Sequence, residues 1–341
     1  MTVTHLVVGP ARHGVVSFAM DLEEALRRRT SATSLVRVND WRDLDEVVGR
    51  IQRFEGVHLN FTDRLFGSSP SDAAERVIAL VRRVEDMNAR VTATLHDVPQ
   101  PSDGGNYPQR VSAYRAVCTT VHGLAINSDH ERSLLGESQI AAPADVVVIP
   151  LPLDVGVAAS RRPGAAPRNV AVLGFIYPGK GHAEVLAAMT GLAPSVEFVA
   201  VGECSAGHDD LVQNLAESAD RDGRRFSVTG YVPAVALPAV LHDVGVPVAH
   251  HRQVSASGSI NTWIGAHRRP LVPINRYTAE HAVRHPGTLL QYADTPDGLR
   301  ETIEHALDHP DLTWIAAGTV SGSPSSATGA LYARALSRWH D

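Results

Sequence analysis

The residue best placed to do chemistry is Lys180. It follows an apolar run at Val170–Leu173, a glycine at Gly174 and a turn through Pro178 and Gly179, and it stands just before a helix that begins near His182. A β-branched run, a glycine turn and a helix make the first half of a βαβ unit, whose loop lies at the carboxyl edge of a parallel sheet, where such sheets bind ligands. There the Lys180 ammonium adds to the partial positive charge of the free N–H groups of the helix's first turn. An anion is the expected guest, above all a phosphate. A surface lysine after an ordinary βα turn is the alternative.

The elements that must position such residues alternate along the chain. Apolar spacing predicts strands at 4–8, 35–38, 57–61, 90–95, 123–126 and 146–149, with helices at 15–26, 44–54, 73–87, 107–118 and 129–135 between them. The last of these helices has Ser128 or Asp129 as its N-cap. A second set follows, with strands at 170–173, 197–201, 226–229, 245–249, 270–273 and 289–292. Its helices run over 182–190, 209–219, 235–242, 259–266, 277–284 and 296–307. Two such sets imply an α/β architecture of two Rossmann-like, doubly wound parallel-sheet domains facing a central cleft. The expected boundaries are 1–157 for the first domain, a Pro/Ala/Arg-rich linker at 158–168, and 169–320 for the second. A final helix within 321–341 carries Leu331, Leu336 and Trp339, which need a surface to cover; the expectation is that it packs back on the first domain.

The chain has 341 residues, a length comfortable for two domains, and its runs rich in Ala, Val and Leu suit sheets covered by helices on both faces. A formal charge of −6 argues against a nucleic-acid binder. The arginines at 27–29 end an apparent helix, where cations suit the dipole. Cys118 and Cys204 look like reduced core thiols. No basic leader precedes the first strand, and no apolar run reaches the roughly 18 residues that a bilayer demands. The expectation is a cytoplasmic protein without a transmembrane segment; contact with a membrane surface is left open.

The order of signals resembles the two-Rossmann (GT-B) glycosyltransferases, specifically the large retaining family, glycosyltransferase family 4-like, of bacterial mannosyl- and glucosyltransferases and sucrose-type synthases. The stretch GFIYPGKGH from Gly174 to His182 resembles the start of that family's donor domain. VTGYV, Val228 to Val232, resembles its x-x-G-x-V loop, and 246–273 followed by 275–280 has the layout of its donor-binding segment. His13 and Gly14 stand near its N-terminal glycine loop. The resemblance implies transfer of a hexose from a UDP- or GDP-sugar to an acceptor that the sequence does not identify, with retention, no metal and no cofactor beyond the donor. Lys180, Gly14, Ser257, Gly258, Ser259 and Ile260 would hold the diphosphate, since glycine at a helix start lets backbone amides approach it closely. A plain turn with hydroxyl caps explains the serines equally well. Gly174, Gly230, Tyr231, Val232 and Glu280 would contact the nucleotide.

His96 ends its predicted strand, as does a family histidine that points to the transferred sugar, so donation to a sugar hydroxyl or to the phosphate is its implied catalytic role. Asp97 beside it either helps His96 or caps the next loop. His58 and Asn60 share the strand-end logic and, with His13, would form the acceptor side. The family's two donor-segment glutamates are absent here: Ser255 and Trp263 stand in their places. Phe175 replaces an arginine after Gly174, so Lys180 needs a second cation, with Arg252, Arg268 and Arg269 as candidates. These losses keep a second reading open, a non-catalytic nucleotide-sugar-binding or partner-regulating protein of the same fold. A nucleotide-sugar 2-epimerase is a third, and it is disfavoured by the scarcity of carboxylates.

Overall fold

A computed structural model describes residues 2–29, 33–41, 44–51, 55–141, 146–156, 167–251, 254–316, 318–319 and 324–340. The chain forms two compact units, Met1–Pro152 with Ser323–Asp341, and Leu153–Gly322.

In the first unit, strands β1 (Val3–Val8), β2 (Thr33–Val38), β3 (Gly56–Phe61), β4 (Arg90–Leu95), β5 (Gly123–Ile126) and β6 (Val147–Val148) alternate with helices. These are α1 (Gly14–Arg27), α2 (Leu44–Ile51), α3 (Asp63–Phe66), α4 (Pro70–Glu85), α5 (Tyr107–Thr120) and α6 (Asp129–Glu137). All strand pairings are parallel, in the order β2-β1-β3-β4-β5-β6. β1 and β3 are buried at every residue, as strands covered on both faces must be. Because the chain runs outward from β1 to β2 and then returns to β3, the switch point lies between β1 and β3. Ser128 is the cap of α6, accepting from the Glu131 N–H at 3.0 Å.

The second unit holds β7 (Asn169–Leu173), β8 (Glu197–Val201), β9 (Phe226–Val228), β10 (Val246–Val248), β11 (Leu271–Pro273) and β12 (Leu290–Tyr292). Its helices are α7 (His182–Ala188), α8 (Asp209–Arg221), α9 (Leu237–His242), α10 (Gly258–Gly265), α11 (Arg276–Arg284) and α12 (Pro296–Asp308). Its parallel sheet has the order β12-β11-β10-β7-β8-β9, which from the β9 edge is the Rossmann sequence with its switch point between β7 and β10.

The last helix, α13 (Ser325–His340), belongs to the first unit and packs beside α1. Leu336 and Trp339 are buried with Leu22 and Leu26, but Leu331 is exposed and Tyr332 takes the core position expected of it. One residue along a helix is a turn of 100°, enough to carry a side chain off the buried stripe. Under α13 lies a polar layer. His58 bonds Thr92 and Thr94 through its two ring nitrogens at 2.9 and 3.0 Å, and the Tyr332 hydroxyl meets Thr94 at 3.0 Å.

The expected domain boundaries shift. Leu153 already packs with Ala249, Ile260 and Val272 of the second unit, and Gly156 donates to the Gly265 carbonyl at 3.1 Å. Most of the expected linker, together with residues 52–54 at the end of a predicted helix, lies outside the described residues. Among the described residues no helix is long and apolar enough to cross a membrane.

Candidate functional site

At the switch point of the second sheet the chain leaves β7 through Gly174, whose φ of +117° is open to glycine and strained for other residues. A Cβ there would stand 2.9 Å from Lys180 Cε and 3.0 Å from its Nζ, so the glycine makes room for the lysine to fold back over the strand end. Lys180 is 8% exposed, and its ammonium donates to Ser259 Oγ at 3.1 Å. Burial pulls its pKa down to about 8. It therefore stays mostly protonated at neutral pH, and among the described residues it has no carboxylate partner. A buried cation so poorly compensated gains by receiving an anion.

Gly181 follows with φ +97°, and any Cβ on it would overlap the His250 carbonyl. That close approach seats the start of α7 against the end of β10. Across from it, Ser257 caps α10, accepting from the Ile260 N–H at 3.3 Å, while its own N–H donates to the Tyr277 hydroxyl at 3.0 Å. His251 bridges the two serines, Nδ1 lying 3.4 Å from Ser257 Oγ and Nε2 3.3 Å from Ser259 Oγ. Burial first, and Lys180 second, hold its pKa well below that of a free imidazole. No heavy atom lies within 4 Å of the place a Cβ would take on Gly258, so the space over the start of α10 is open. Lys180, Gly174, Ser257, Gly258, Ser259 and Ile260 thus share one edge with the first-turn amides of α10. Sequence reasoning missed His250 and His251, although their position directly after β10 marks them as switch-point residues.

Gly230, Tyr231 and Val232 sit past the end of β9, on the same edge. Tyr231 is half exposed and Val232 packs towards Leu241 and Trp263. The Thr229 hydroxyl accepts from Gly202 N–H at 3.0 Å and ties this loop to the end of β8. Glu280 lies inside α11, paired with Arg284 at 2.8 Å.

The first unit gathers His13, Asn60 and His96 around its own switch point. His96 follows β4 and is 7% exposed, with Nε2 3.2 Å from Asn60 Oδ1 and its ring 5.2 Å from that of Phe18. Burial, then His13, lowers its pKa to about 3, so at neutral pH it is an uncharged imidazole. His13 caps α1, its Nδ1 accepting from the Val15 N–H at 3.3 Å, and Gly14 opens that helix in open space. His58 is not with them. It shares a face of β3 with Asn60, two residues on, but lies earlier in the strand beneath α13, fully buried and bonded on both nitrogens. The acceptor-side expectation for His58 therefore gives way to a packing role.

The Asp97 carboxylate bonds neither to His96 nor to a backbone N–H of the loop that follows; its partners are Arg110 and Arg64. The residue's backbone is left-handed, φ 55°, and its carbonyl and carboxylate both accept from Arg110, at 2.6 and 3.1 Å. Arg110 also forks onto Asp63 at 3.1 Å through Nε and Nη2 and reaches Asp103 at 2.6 Å, while the Tyr114 hydroxyl donates to the His96 carbonyl at 2.7 Å. This buried network, invisible to local patterning, fixes the loop that carries His96.

No protein-family model matches the sequence, and no curated protein matches it significantly. Solved structures do. Anabaena HepE, solved with UDP and glucose, matches over 99% of this chain and 100% of its own, at 13% identity and a TM-score of 0.77. The fold is GT-B. Sucrose-phosphate synthase from Thermosynechococcus elongatus matches over 100% and 96% at 14% identity with a TM-score of 0.67. The lipopolysaccharide outer core galactosyltransferase WaaB matches over 99% of both chains at 8% identity with a TM-score of 0.63.

Within this GT-B fold the departures noted in the sequence acquire a physical setting. Trp263 is fully buried on the inner face of α10 with Ala171, Leu173 and Leu241, in core where a carboxylate would be costly. Ser255 is buried in the loop before α10, and Phe175 is half-buried. The replacement cations fail. Arg268 is buried against the carbonyls of Leu241, Val244 and Gly245, and Arg269 donates to the Leu289 carbonyl at 2.9 Å. Both precede β11 and so lie at the amino edge of the sheet, opposite to Lys180. Arg252 lies outside the described residues. Among the described residues no group of three His, Cys, Asp or Glu side chains could hold a metal ion.

Proposed function

We infer that this chain is a glycosyltransferase that moves a hexose from a nucleoside-diphosphate sugar to an acceptor hydroxyl, with retention and in the cytoplasm. The observation that carries the reading is the buried Lys180 ammonium, held over Gly174 by Ser259 beside the open N-terminus of α10. It is a ready seat for a diphosphate, at the place where a Rossmann sheet takes its nucleotide. HepE, of the same fold, binds UDP and UDP-glucose, which makes a UDP-sugar the first donor to test. Gly230, Tyr231 and Val232 would line the nucleotide side. Glu280, spoken for by Arg284, is left out of it.

In the reaction the bond from the sugar's anomeric carbon to the phosphate oxygen breaks. The acceptor oxygen bonds on the same face, and the acceptor proton passes to the departing phosphate. Lys180 and the α10 amides would meet the charge that develops on that phosphate, with no metal required. His96, neutral and backed by Asn60, would donate to a sugar hydroxyl or to the phosphate.

The test is a thermal-shift and calorimetric panel of UDP, GDP, ADP, TDP and their sugars. Lys180→Ala is expected to weaken binding of the preferred nucleotide by about 1.5 to 3 kcal/mol, the value of a charge-assisted bond. Unchanged affinity would remove Lys180 from the site. His96→Ala is expected to lower turnover by roughly 10² to 10³ while nucleotide affinity stays within a few-fold, because its donation matters most in the transition state. Equal kcat in mutant and parent would make His96 structural. The second reading, a binding protein without turnover, is favoured by core burial at Trp263 where the resembled family has an acid. Nucleotide binding with no release of UDP from any UDP-sugar would establish it.

A further inference from the structure

On the first unit a cleft of about 430 Å³ opens at the carboxyl edge of the sheet, within the size range of small-molecule sites. Pro10, Asn39, Asp40, Arg64, Leu65 and Arg76 line it. Pro10 follows β1, Asn39 and Asp40 follow β2, and Arg64 and Leu65 lie in α3 beyond β3. The cleft therefore sits at this unit's switch point.

Two of its arginines keep N–H groups without a partner among the described residues. Asp72, on the first turn of α4, accepts from the Ser68 N–H at 2.7 Å, from the Ser68 hydroxyl at 2.9 Å and from Arg76 Nε at 2.8 Å. That pairing uses one edge of the guanidinium; among the described residues the terminal nitrogens of Arg76 have no hydrogen-bond partner. Arg64 makes only a loose ion pair, 4.0 Å, with Asp97, and its side chain is 64% exposed. Two planar cationic forks with free N–H groups suit a phosphate or carboxylate. Asn39 and Asp40 add acceptors for hydroxyl groups, and Leu65 and Pro10 add apolar surface for C–H faces. Arg64 also acts on His13 and pairs with Asp97, the neighbour of His96, so the cleft adjoins the histidine cluster.

We propose that this cleft is the acceptor site and that the acceptor is a hydroxyl-bearing anion, a phosphorylated or carboxylated sugar or polyol, whose anionic group is held between Arg64 and Arg76. The proposal rests on the transferase reading for the word acceptor; the anion seat itself does not depend on it.

Calorimetry with glucose 6-phosphate, glucuronate and glucose tests it, in a Lys180→Ala background so that phosphate is not taken up at the second unit. At least one of the two anions is expected to bind tenfold or more tighter than glucose, and which of them binds identifies phosphate or carboxylate as the group recognised. Arg64→Gln, which gives up only the loose pair to Asp97, is expected to lower that affinity at least tenfold. Arg76→Gln should do the same, with its melting temperature checked because Asp72 loses a partner. With Lys180 restored, UDP affinity in Arg64→Gln should stay within twofold of the parent. Equal binding of glucose and the anions, no binding of either anion, or anion binding that survives Arg64→Gln would overturn the proposal. Failure of UDP to bind the parent protein, with anion binding intact, would instead sink the transferase reading and leave the anion seat standing.

Discussion

Lowering the pH from 7 to 5 is expected to drop the melting temperature of both units sharply. Six histidines are buried neutral: His5, His58 and His96 in the first unit, and His182, His251 and His281 in the second. Burial is the leading cause in every case. It takes His5 and His281 to about 4 and His96 and His182 to about 3, and it holds His58 and His251 well below the free value of 6.5. As the pH falls below 6.5 the unfolded chain takes up these protons first, so stability that is complete above about pH 7 is lost on the way to pH 4. At pH 5 each of His5, His96, His182 and His281 costs about 2 kcal/mol, and His58 and His251 act in the same direction. Two such costs in each unit, with a third of the same sign, are a large share of a domain's whole stability, about 5 to 15 kcal/mol. His5 and His182 are the sharpest cases, since neither ring nitrogen of either has a partner among the described residues. Circular-dichroism melts at pH 7, 6 and 5 check this. A melting temperature that holds steady from 7 to 5 would mean the rings are hydrated, and His5→Phe should flatten part of the acid limb.

Arg110→Ala is expected to cost the first unit about 3 to 5 kcal/mol, the range for removing one partner of a buried ion pair. The Arg110, Asp63 and Asp103 side chains are 4, 5 and 6% exposed, so the substitution leaves two carboxylates buried without their cation. It also frees the left-handed backbone at Asp97, which Arg110 holds by carbonyl and carboxylate together. His96 should then lose its aim. The expected result is a melting temperature lower by roughly 10 °C and a fall in kcat larger than any change in KM. Arg110→Lys should rescue little, because a lysine cannot fork onto Asp63 while reaching Asp97 and Asp103. A melting curve that matches the parent's would show the network to be dispensable.

What could be read from the chain depended on the range of the interaction. The strand at 90–95 and the one at 123–126 agree to the residue with β4 and β5, and that at 197–201 with β8, because a β-branched run between turn residues is a local signal. α3 was missed: four residues are too few for helical periodicity to register. Leu331 was assigned to the core because a single apolar residue beside a stripe cannot be told from a member of it until the stripe has a partner. His58 and Asn60 shared one pattern, and only the position of α13 separates a packed imidazole from a site amide. Arg268 and Arg269 were candidates for the second cation beside Lys180, yet they lie at the other edge of the sheet, since what decides the edge is whether a residue precedes or follows its strand.

Alternation of strand and helix, the glycine turn at Gly174 and a cap at Ser128 or Asp129 could be read from the sequence alone, because each is settled by contacts a few residues long. Which strands are neighbours was decided only in three dimensions, and so were the two switch points, the chain from Lys180 through Ser259 to His251 and the clamp of Arg110 on the His96 loop. Those pairings join residues up to 79 positions apart, and their free energy exists only once each sheet has closed around them.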